Sequence, residues 1–550
     1  MMARLVFDVE TDGLDATKIW CIVAQDVDSK EIYAYGPDKL DAGYARLDSA
    51  DGLVGHNIIG YDIPVIRKLM HKPDFAKDKT IIDTLVLSRL FNPVKDGGHS
   101  LNQWGNEIGF NKLEFKEFDT YSEEMLEYCI RDVDVLEATH KRLEKEMQDW
   151  GDSIQLEHEV AMHINRQEKN GFKLNAKHTH SLLVQFKMRM VEIEITLQKV
   201  FPPIITERFS EKTGKQLKDD VEVFNVGSRQ QIAKRLQSLG VKFNKTTEKG
   251  QIVINEKILA EINLPEAQMI NEYLMLQKRV GLVEAWLESA DDTDRVHGRV
   301  ISNGAVTGRM THSSPNMGQI PSVSSEYGKE CRQCWTVEEG NVLVGTDLSG
   351  IELRCLAHYM QDDNYTKEIL DGDIHQTNAD SAGVDRPTAK TMIYALLYGC
   401  GINKLASILN TNVAQAQTTL DKFYKNTPKL KKLILKVQRI ASKGYVPGLD
   451  GRRIRIRSEH AALNSLLQSC GAIIAKKWCV EAHKMLRRAN IPVKQVAFVH
   501  DEIQVEVPQK YGQQTADIMT KASERAGRKL GFRLPVESEA KIGRTWFDTH

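Results

Sequence analysis

The stretch VLVGTDLSGIELR, residues 342–354, reads as a buried strand that ends on an acid and hands over to a helix. Its short apolar run is closed by Ser-Gly, the punctuation of a core strand rather than of a long helix. A second stretch, VHDEIQVEV (499–507), sets two alternating strand-like segments around an acidic turn that carries Asp501 and Glu502. Between the two lies RPTAKTMIYALLYG (386–399), which spaces Arg386, Lys390 and Tyr394 at successive i, i+4 positions. Residues four apart share one helix face. Two acids, Asp347 and Asp501, can hold metal ions against a triphosphate while a helix of Arg and Lys grips its charge. That is the outline of a nucleotidyl-transfer site.

Working outward, the chain has 550 residues, 41% hydrophobic and 27% charged. This is too long for one core, and two to four domains are expected. The opening MMARLVFDVE enters a strand at once, leaving no room for a signal or transit peptide, and no apolar stretch spans a bilayer. A cytosolic protein with no membrane partner is expected. The eight cysteines are scattered, mostly among apolar neighbours where a thiol packs as a small core residue. Cys331 and Cys334 form a lone CxxC without the further ligands that structural zinc needs.

The net charge of −1 conceals an asymmetry. Residues 1–150 carry 18 Lys+Arg against 29 Asp+Glu, and the remaining 400 carry 56 against 46. An acidic front end precedes a basic body, and a basic body suits phosphate contact.

The first 150 residues alternate strand and helix: ARLVFDVE and WCIVAQDV read as neighbouring strands, EEMLEYCIRDVDVLEATHKRLEKEM as a long amphipathic helix. Residues 155–300 are mostly helical, interrupted by a charged, loop-like interval at 202–222 with Pro202 and Pro203. After residue 300 strands return.

The front region holds its own acids. Asp8 and Glu10, two apart on a strand, point to one face. GHNIIGYDIP (55–64) supplies Asp62, and YCIRD (128–132) puts Tyr128 and Asp132 on one helix face. Carboxylates from three segments suit a two-metal hydrolytic site, with Tyr128 placed to orient a water. FDVETDGL (7–14), the Asp62 segment and YCIRD, in that order, resemble the DEDD superfamily of 3′–5′ exonucleases, in the subtype whose last motif contains tyrosine. The resemblance implies an RNase H-like mixed sheet.

From about residue 300 the chain resembles the family A DNA polymerases, the DNA polymerase I class, and most closely the replicative enzymes of short-tailed bacteriophages. The motifs, in family order, are NGAVTGRMTHSSPNMGQIP (303–321), DLSGIELRCLAHYM (347–360), GDIHQ (372–376), RPTAKTMIYALLYG, EHAALNSLLQSCGAIIAK (459–476) and VHDEIQVE. The implied architecture is an α/β multi-domain chain: an exonuclease domain over 1–150, then a right-hand polymerase. Residues 151–300 would be the helical thumb and the start of the polymerase, 301–350 palm, 351–455 fingers and 456–550 palm again.

The resemblance also implies roles. Asp347 and Asp501 would be the palm's metal-binding carboxylates, with Glu502 assisting. Asp8, Glu10, Asp62 and Asp132 would hold the exonuclease metals, two Mg²⁺ at each site with Mn²⁺ as a substitute. His375, Arg386 and Lys390 would contact the incoming dNTP phosphates, Tyr394 its sugar and base, and Tyr398 the template base. Glu352 resembles the steric gate that leaves no space for a 2′-hydroxyl. Arg309, Asn464, Gln468 and His500 match positions that read the minor groove of primer-template DNA, where the acceptors are nearly the same for every base pair. Tyrosine at position 394 implies ready use of dideoxynucleotides.

The implied setting is a phage genome copied in the cytoplasm of a host bacterium, alongside a helicase/primase and a single-strand-binding protein. The chain opens directly on the exonuclease, so a 5′-nuclease domain is not expected. The best-known phage relatives carry a long basic thumb insertion that binds thioredoxin. Here only the short interval Phe201 to Phe224 stands in that place, and thioredoxin is not expected as a partner. Three other readings compete. Glu352 and the front exonuclease argue against a single-subunit RNA polymerase. Intact acids at both sites argue against a catalytically silent accessory protein. A repair enzyme working mainly through its exonuclease differs only in relative rates.

Overall fold

The computed structural model describes residues 3–550. The first strand, β1 (Arg4–Thr11), alternates between two faces: Leu5, Phe7 and Val9 enter one apolar cluster, while Val6 enters another with Cys129, Val133 and Leu136. Period-two geometry therefore puts Asp8 and Glu10 in line with Val6, beneath the helix that carries Cys129. β1 pairs antiparallel with β2 (Ile19–Asp26), which pairs with β3 (Ile32–Tyr35). On the other side β1 runs parallel to β4 (Gly52–Gly55) and β4 to β5 (Thr80–Asp83), giving a mixed sheet in the order β3-β2-β1-β4-β5. Helix α1 (Asp62–Leu69) starts on Asp62 itself. Helix α2 (Glu123–Glu146) is capped by the Ser122 hydroxyl, which accepts from the Met125 N–H, and has Glu123 and Glu124 in its first turn, where acids suit the helix dipole.

Helix α3 (Ser153–Asn170) leads into the body. Within the interval expected as thumb, 151–300, α3 packs on the long helix Ala462–Arg488 and on the strand Lys494–Val499, whereas α4 (Ala176–Val200) and α5 (Pro265–Glu288) pack on each other. The interval expected as a loop at 202–222 is a hairpin, β6 (Ile204–Phe209) with β7 (Gln216–Glu222). Its lysines and acids hide the strand pattern, and Ile205, Phe209, Leu217 and Val221 stay exposed along it.

The palm sheet is antiparallel throughout. β8 (Asn341–Leu348) lies between β10 (Glu502–Pro508) and β11 (Ser538–Gly543), and β9 (Lys494–Val499) covers the far edge of β10. Helices α6 (Ile351–Met360), α7 (Ile374–Ala382) and α8 (Arg386–Leu397) come after β8 in the chain, and α9 (Ala462–Arg488) and α10 (Gly512–Lys529) back the sheet. A buried charge cluster locks these parts together. Lys476 of α9 donates to Glu157 of α3 at 2.7 and 2.8 Å and to Asn303 at 2.7 Å, and Arg452 bridges Glu157 and Asp450 at 2.6 Å. Losing one partner of such a cluster leaves an uncompensated buried charge, which is strongly destabilising.

Seven of the eight cysteines are buried, Cys331 and Cys334 among them. Burial pushes both of those thiols up, to about 12 and about 11, so they pack as neutral core residues.

Candidate active sites

In the front domain the sheet and two helices converge on one acidic space. Ligand atoms of Asp8, Glu10 and Cys129 lie within 4.8 Å of one another. Asp132 arrives from α2 one turn beyond Tyr128, and Asp62 from the start of α1. Burial, then the Asp132 charge, push the Asp8 carboxyl up to about 7. Burial, Asp8 and Asp132 push Glu10 to about 10. Asp62 is raised by burial and by Asp8, and Asp132 by burial. Asp62 Oδ1 and Asp132 Oδ1 are buried without a hydrogen-bond partner. Crowded, desolvated carboxylates with unused lone pairs fit divalent cations, which take oxygen ligands. The Cys129 thiol, raised by burial, stays neutral and is not part of that donor set.

One member of this space has no counterpart in the motifs. Lys112, from the irregular segment before α2, forms an ion pair with Asp132. Its ammonium also lies 4.9 Å from the centre of the Tyr128 ring. Burial alone would lower Lys112, but the charge and hydrogen bond of Asp132, then Tyr128, hold it above its ordinary value. Phe115 and Phe118 pack on Tyr128 at 5.5 and 6.1 Å. Lys112 is one of two lysines between aromatics in FNKLEFKEF, and it carries no periodicity or spacing by which sequence alone could select it over Lys116.

In the palm, antiparallel register sets Asp347 opposite Glu502, and the Leu348 N–H donates to the Asp501 carbonyl at 3.1 Å. Burial, then Asp501 and Glu502, raise Asp347 to about 7. Burial, then Glu352, raise Asp501 to about 6. A cation between the two aspartates would relieve both. Glu502 differs. It is buried, but it accepts from Gln504 at 2.6 Å and from the Trp546 indole, and lies 3.3 Å from His550 Nδ1. Burial opposes its charge, yet these donors and Arg332 hold it below the usual carboxylate range. It is engaged in packing the palm rather than left open like Asp347.

Glu352, on the first turn of α6, links the palm to the fingers. Its Oε1 accepts from the Tyr398 hydroxyl at 3.3 Å and lies 3.8 Å from Arg309 Nη2. Helix α8 is capped by Asp385, which accepts from the Thr388 N–H. It buries Ala389, Met392, Ile393 and Leu397, turning Arg386 and Lys390 to solvent. Arg386 Nε donates to Asp373 at 2.7 Å. His375 stands 6.0 Å from the Tyr394 ring, with its Nδ1 buried and unpartnered. Burial, then Lys390 and Arg386, lower its pKa. On α9, Gln468 Nε2 donates to Asn464 Oδ1 at 2.8 Å. His500, in the turn before Asp501, has a left-handed backbone (φ 58°) and is lowered by burial and then by Arg309. Arg309, Glu352, Tyr398, His500 and Asp501 thus form one electrostatic group, with Asn464 and Gln468 on the helix behind.

A model of DNA polymerase family A matches residues 205–548. The DNA-directed DNA polymerases of Enterobacteria phage T3 and Escherichia phage T7 are each 31% identical to this chain, over 703 and 706 residues, covering 99% of it and 100% of each relative. A DNA polymerase I of Caldicellulosiruptor bescii is 28% identical over 66% of this chain and 46% of its own length. Among solved structures, one described as the POL domain of Pol1 from M. smegmatis in complex with DNA primer-template and dNTP superposes with a TM-score of 0.83. It covers 99% of this chain and 96% of that one, and at 20% identity it speaks for the fold.

Proposed function

Since this chain belongs to DNA polymerase family A and is a DNA-directed DNA polymerase, we propose that it extends a primer with dNTPs at the palm and trims mispaired 3′ ends at the front site. The observation that carries this reading is the presence of two separate clusters of buried, raised carboxylates, one at Asp347–Asp501 and one at Asp8–Glu10–Asp62–Asp132.

Family A polymerases depend on divalent metal, and we assign two Mg²⁺ ions to each site, with Mn²⁺ able to replace them. When bound, such ions lower the pKa of the attacking oxygen and neutralise charge on the leaving group. The protein's share is placement. Asp347, at the end of β8, and Asp501, in the turn that leads into the adjacent β10, fix the reaction point. Arg386, Lys390 and His375 receive the triphosphate, Arg as a fork and Lys as a point charge. Arg386 must release Asp373 to do so. Glu352, held by Tyr398 and Arg309, stands beneath the sugar and excludes a 2′-hydroxyl. Arg309, Asn464, Gln468 and His500 hold the primer-template, and Tyr394 and Tyr398 stack against the nascent pair. At the front site Tyr128 orients the attacking water, and Lys112 holds both Tyr128 and Asp132 in place.

The test is primer extension beside degradation of a mismatched primer. Asp501→Ala should abolish synthesis and keep degradation, and Asp8→Ala/Glu10→Ala should do the reverse. Loss of both activities in either variant would refute two independent sites. No described helix is long and apolar enough to cross a membrane. We place the work in phage replication in the host cytoplasm, with a helicase/primase and a single-strand-binding protein. We leave thioredoxin out of that set; the short hairpin over 204–222 and the alignment of 550 residues over 706 positions with the T7 relative support this reading. A processivity assay in which thioredoxin strongly stimulates synthesis would overturn that exclusion.

A further inference from the structure

Both catalytic centres leave one large basic cleft unused. It has a volume of about 650 Å³ and lies between the segment after α1, the outer face of α3 and the C-terminal half of α9. That size falls within the ~300–1,000 Å³ of small-molecule sites. Helical spacing brings Glu159, His163 and Arg166 of α3 to the same wall, and α9 supplies His483, Lys484 and Arg487. The cleft is remote from the palm acids. Gln495 lines it at the start of β9, six residues before Asp501, or about 20 Å of extended chain.

The charge balance is one-sided. Of the cations lining the cleft, Lys484 is taken by Glu159 at 2.9 Å, and Lys77 pairs with Asp74 at 2.9 Å. Arg166 and Arg487 pair with no carboxylate among the described residues, and each is the other's repulsive neighbour. Enclosure, then Arg487, lower the Arg166 guanidinium. Enclosure and Arg166 lower Arg67, and enclosure and Arg67 lower Lys169, so the positive field extends beyond the cleft. On the floor the His163 and His483 rings stack at 4.0 Å, and His163 Nδ1 is buried without a partner. Two uncompensated guanidiniums over an imidazole floor are arranged for a multiply charged oxyanion, which an arginine fork receives bidentately.

We propose that this cleft is a second phosphate-binding site, separate from both catalytic centres, that takes the oligophosphate of a nucleotide or the backbone phosphates of a single strand. The two sources share the anion and differ in the groups attached to it. Ile491, Pro492 and Val493 line the cleft and offer an apolar wall for a base.

Binding is measured on the full chain by calorimetry in chelator, which removes the metal-dependent part of nucleotide binding at the catalytic sites. The probes are inorganic tripolyphosphate, ATP and a short oligothymidylate, each tested on wild type and Arg166→Gln/Arg487→Gln. Tripolyphosphate should bind saturably to wild type and at least about tenfold more weakly to the double variant, whose melting temperature and primer-extension rate stay unchanged. ATP tighter than tripolyphosphate identifies a nucleotide site, and oligothymidylate tightest and lost in the double variant identifies a strand site. Equal affinity in wild type and double variant overturns the proposal. So does binding abolished by Arg386→Gln alone, which would place the anion on the fingers. An acidic peptide that binds the cleft while all three phosphate probes fail would overturn the choice of ligand.

Discussion

In the front sheet, four carboxylates converge on a space that already contains a cation, Lys112 paired to Asp132. In the palm, two aspartates lie near two arginines that form ion pairs with their glutamate neighbours instead, Arg309 with Glu352 at 3.8 Å and Arg332 with Glu502 at 3.8 Å. Both sites push their aspartates up by burial and mutual repulsion, but only in the front one is a raised aspartate itself in an ion pair with a lysine. On the proposed function, the palm would admit a tetra-anionic nucleotide and a duplex end, with phosphate-receiving cations set apart on α8, and the front site would receive one frayed strand with its orienting groups fixed beforehand.

The largest test of that contrast concerns Glu352. If it acts as a wall beneath the sugar, Glu352→Ala should relax the preference for dNTP over rNTP by about a hundredfold, the worth of rejecting one added hydroxyl, with degradation of a mismatched primer unchanged. Single-nucleotide incorporation kinetics measure it, and an unaltered preference would assign sugar choice elsewhere.

Lys112 tests the other half. Lys112→Met should slow degradation about ten- to hundredfold, the usual cost of removing a supporting partner of a metal ligand, while synthesis stays at the wild-type rate. A positioning role further requires that Lys112→Arg restore part of the rate and that the loss lie in kcat rather than KM. A loss carried by KM alone would make Lys112 a strand contact. Smaller again, Tyr394→Phe should raise discrimination against dideoxynucleotides by about tenfold, roughly one hydroxyl hydrogen bond. Strong discrimination by wild type, unchanged by the substitution, would break that expectation.

These residues also mark where sequence reading stops. The acid spacings were legible because strand and helix periods are rigid: Asp8 and Glu10 two apart on β1, and Tyr128 and Asp132 four apart on α2, must share a face. Lys112 was not, because it comes from an irregular segment and meets Asp132 only through the fold. Of the adjacent acids Asp501 and Glu502, sequence cannot say which is left open. Tertiary partners decide it, since Trp546, Gln504 and His550 claim Glu502. The hairpin over 204–222 was hidden by its charges, whereas the long thumb helices announced themselves by period.

The finest test uses stability in the absence of metal. Asp8 rises from 3.8 to about 7 on folding, mainly by burial and then by Asp132, so between those values the folded chain binds a proton that the unfolded chain has lost. Stability then falls as pH rises through that window, and at pH 8 an ionised, buried Asp8 costs the fold. In chelator, Asp8→Asn should therefore raise the melting temperature by a few degrees at pH 8, by less than half as much at pH 5, and leave it nearly unchanged below pH 4. Glu502 is held below its ordinary value against the pull of burial, so Glu502→Gln should lower the melting temperature at pH 8, the opposite sign. Added Mg²⁺ should stabilise wild type at pH 8 and shrink its gap to Asp8→Asn, because ligand bound only to the folded state adds to stability. A melting temperature for Asp8→Asn below wild type at pH 8 in chelator would mean that Lys112 already neutralises the cluster, and that the front site is balanced without metal.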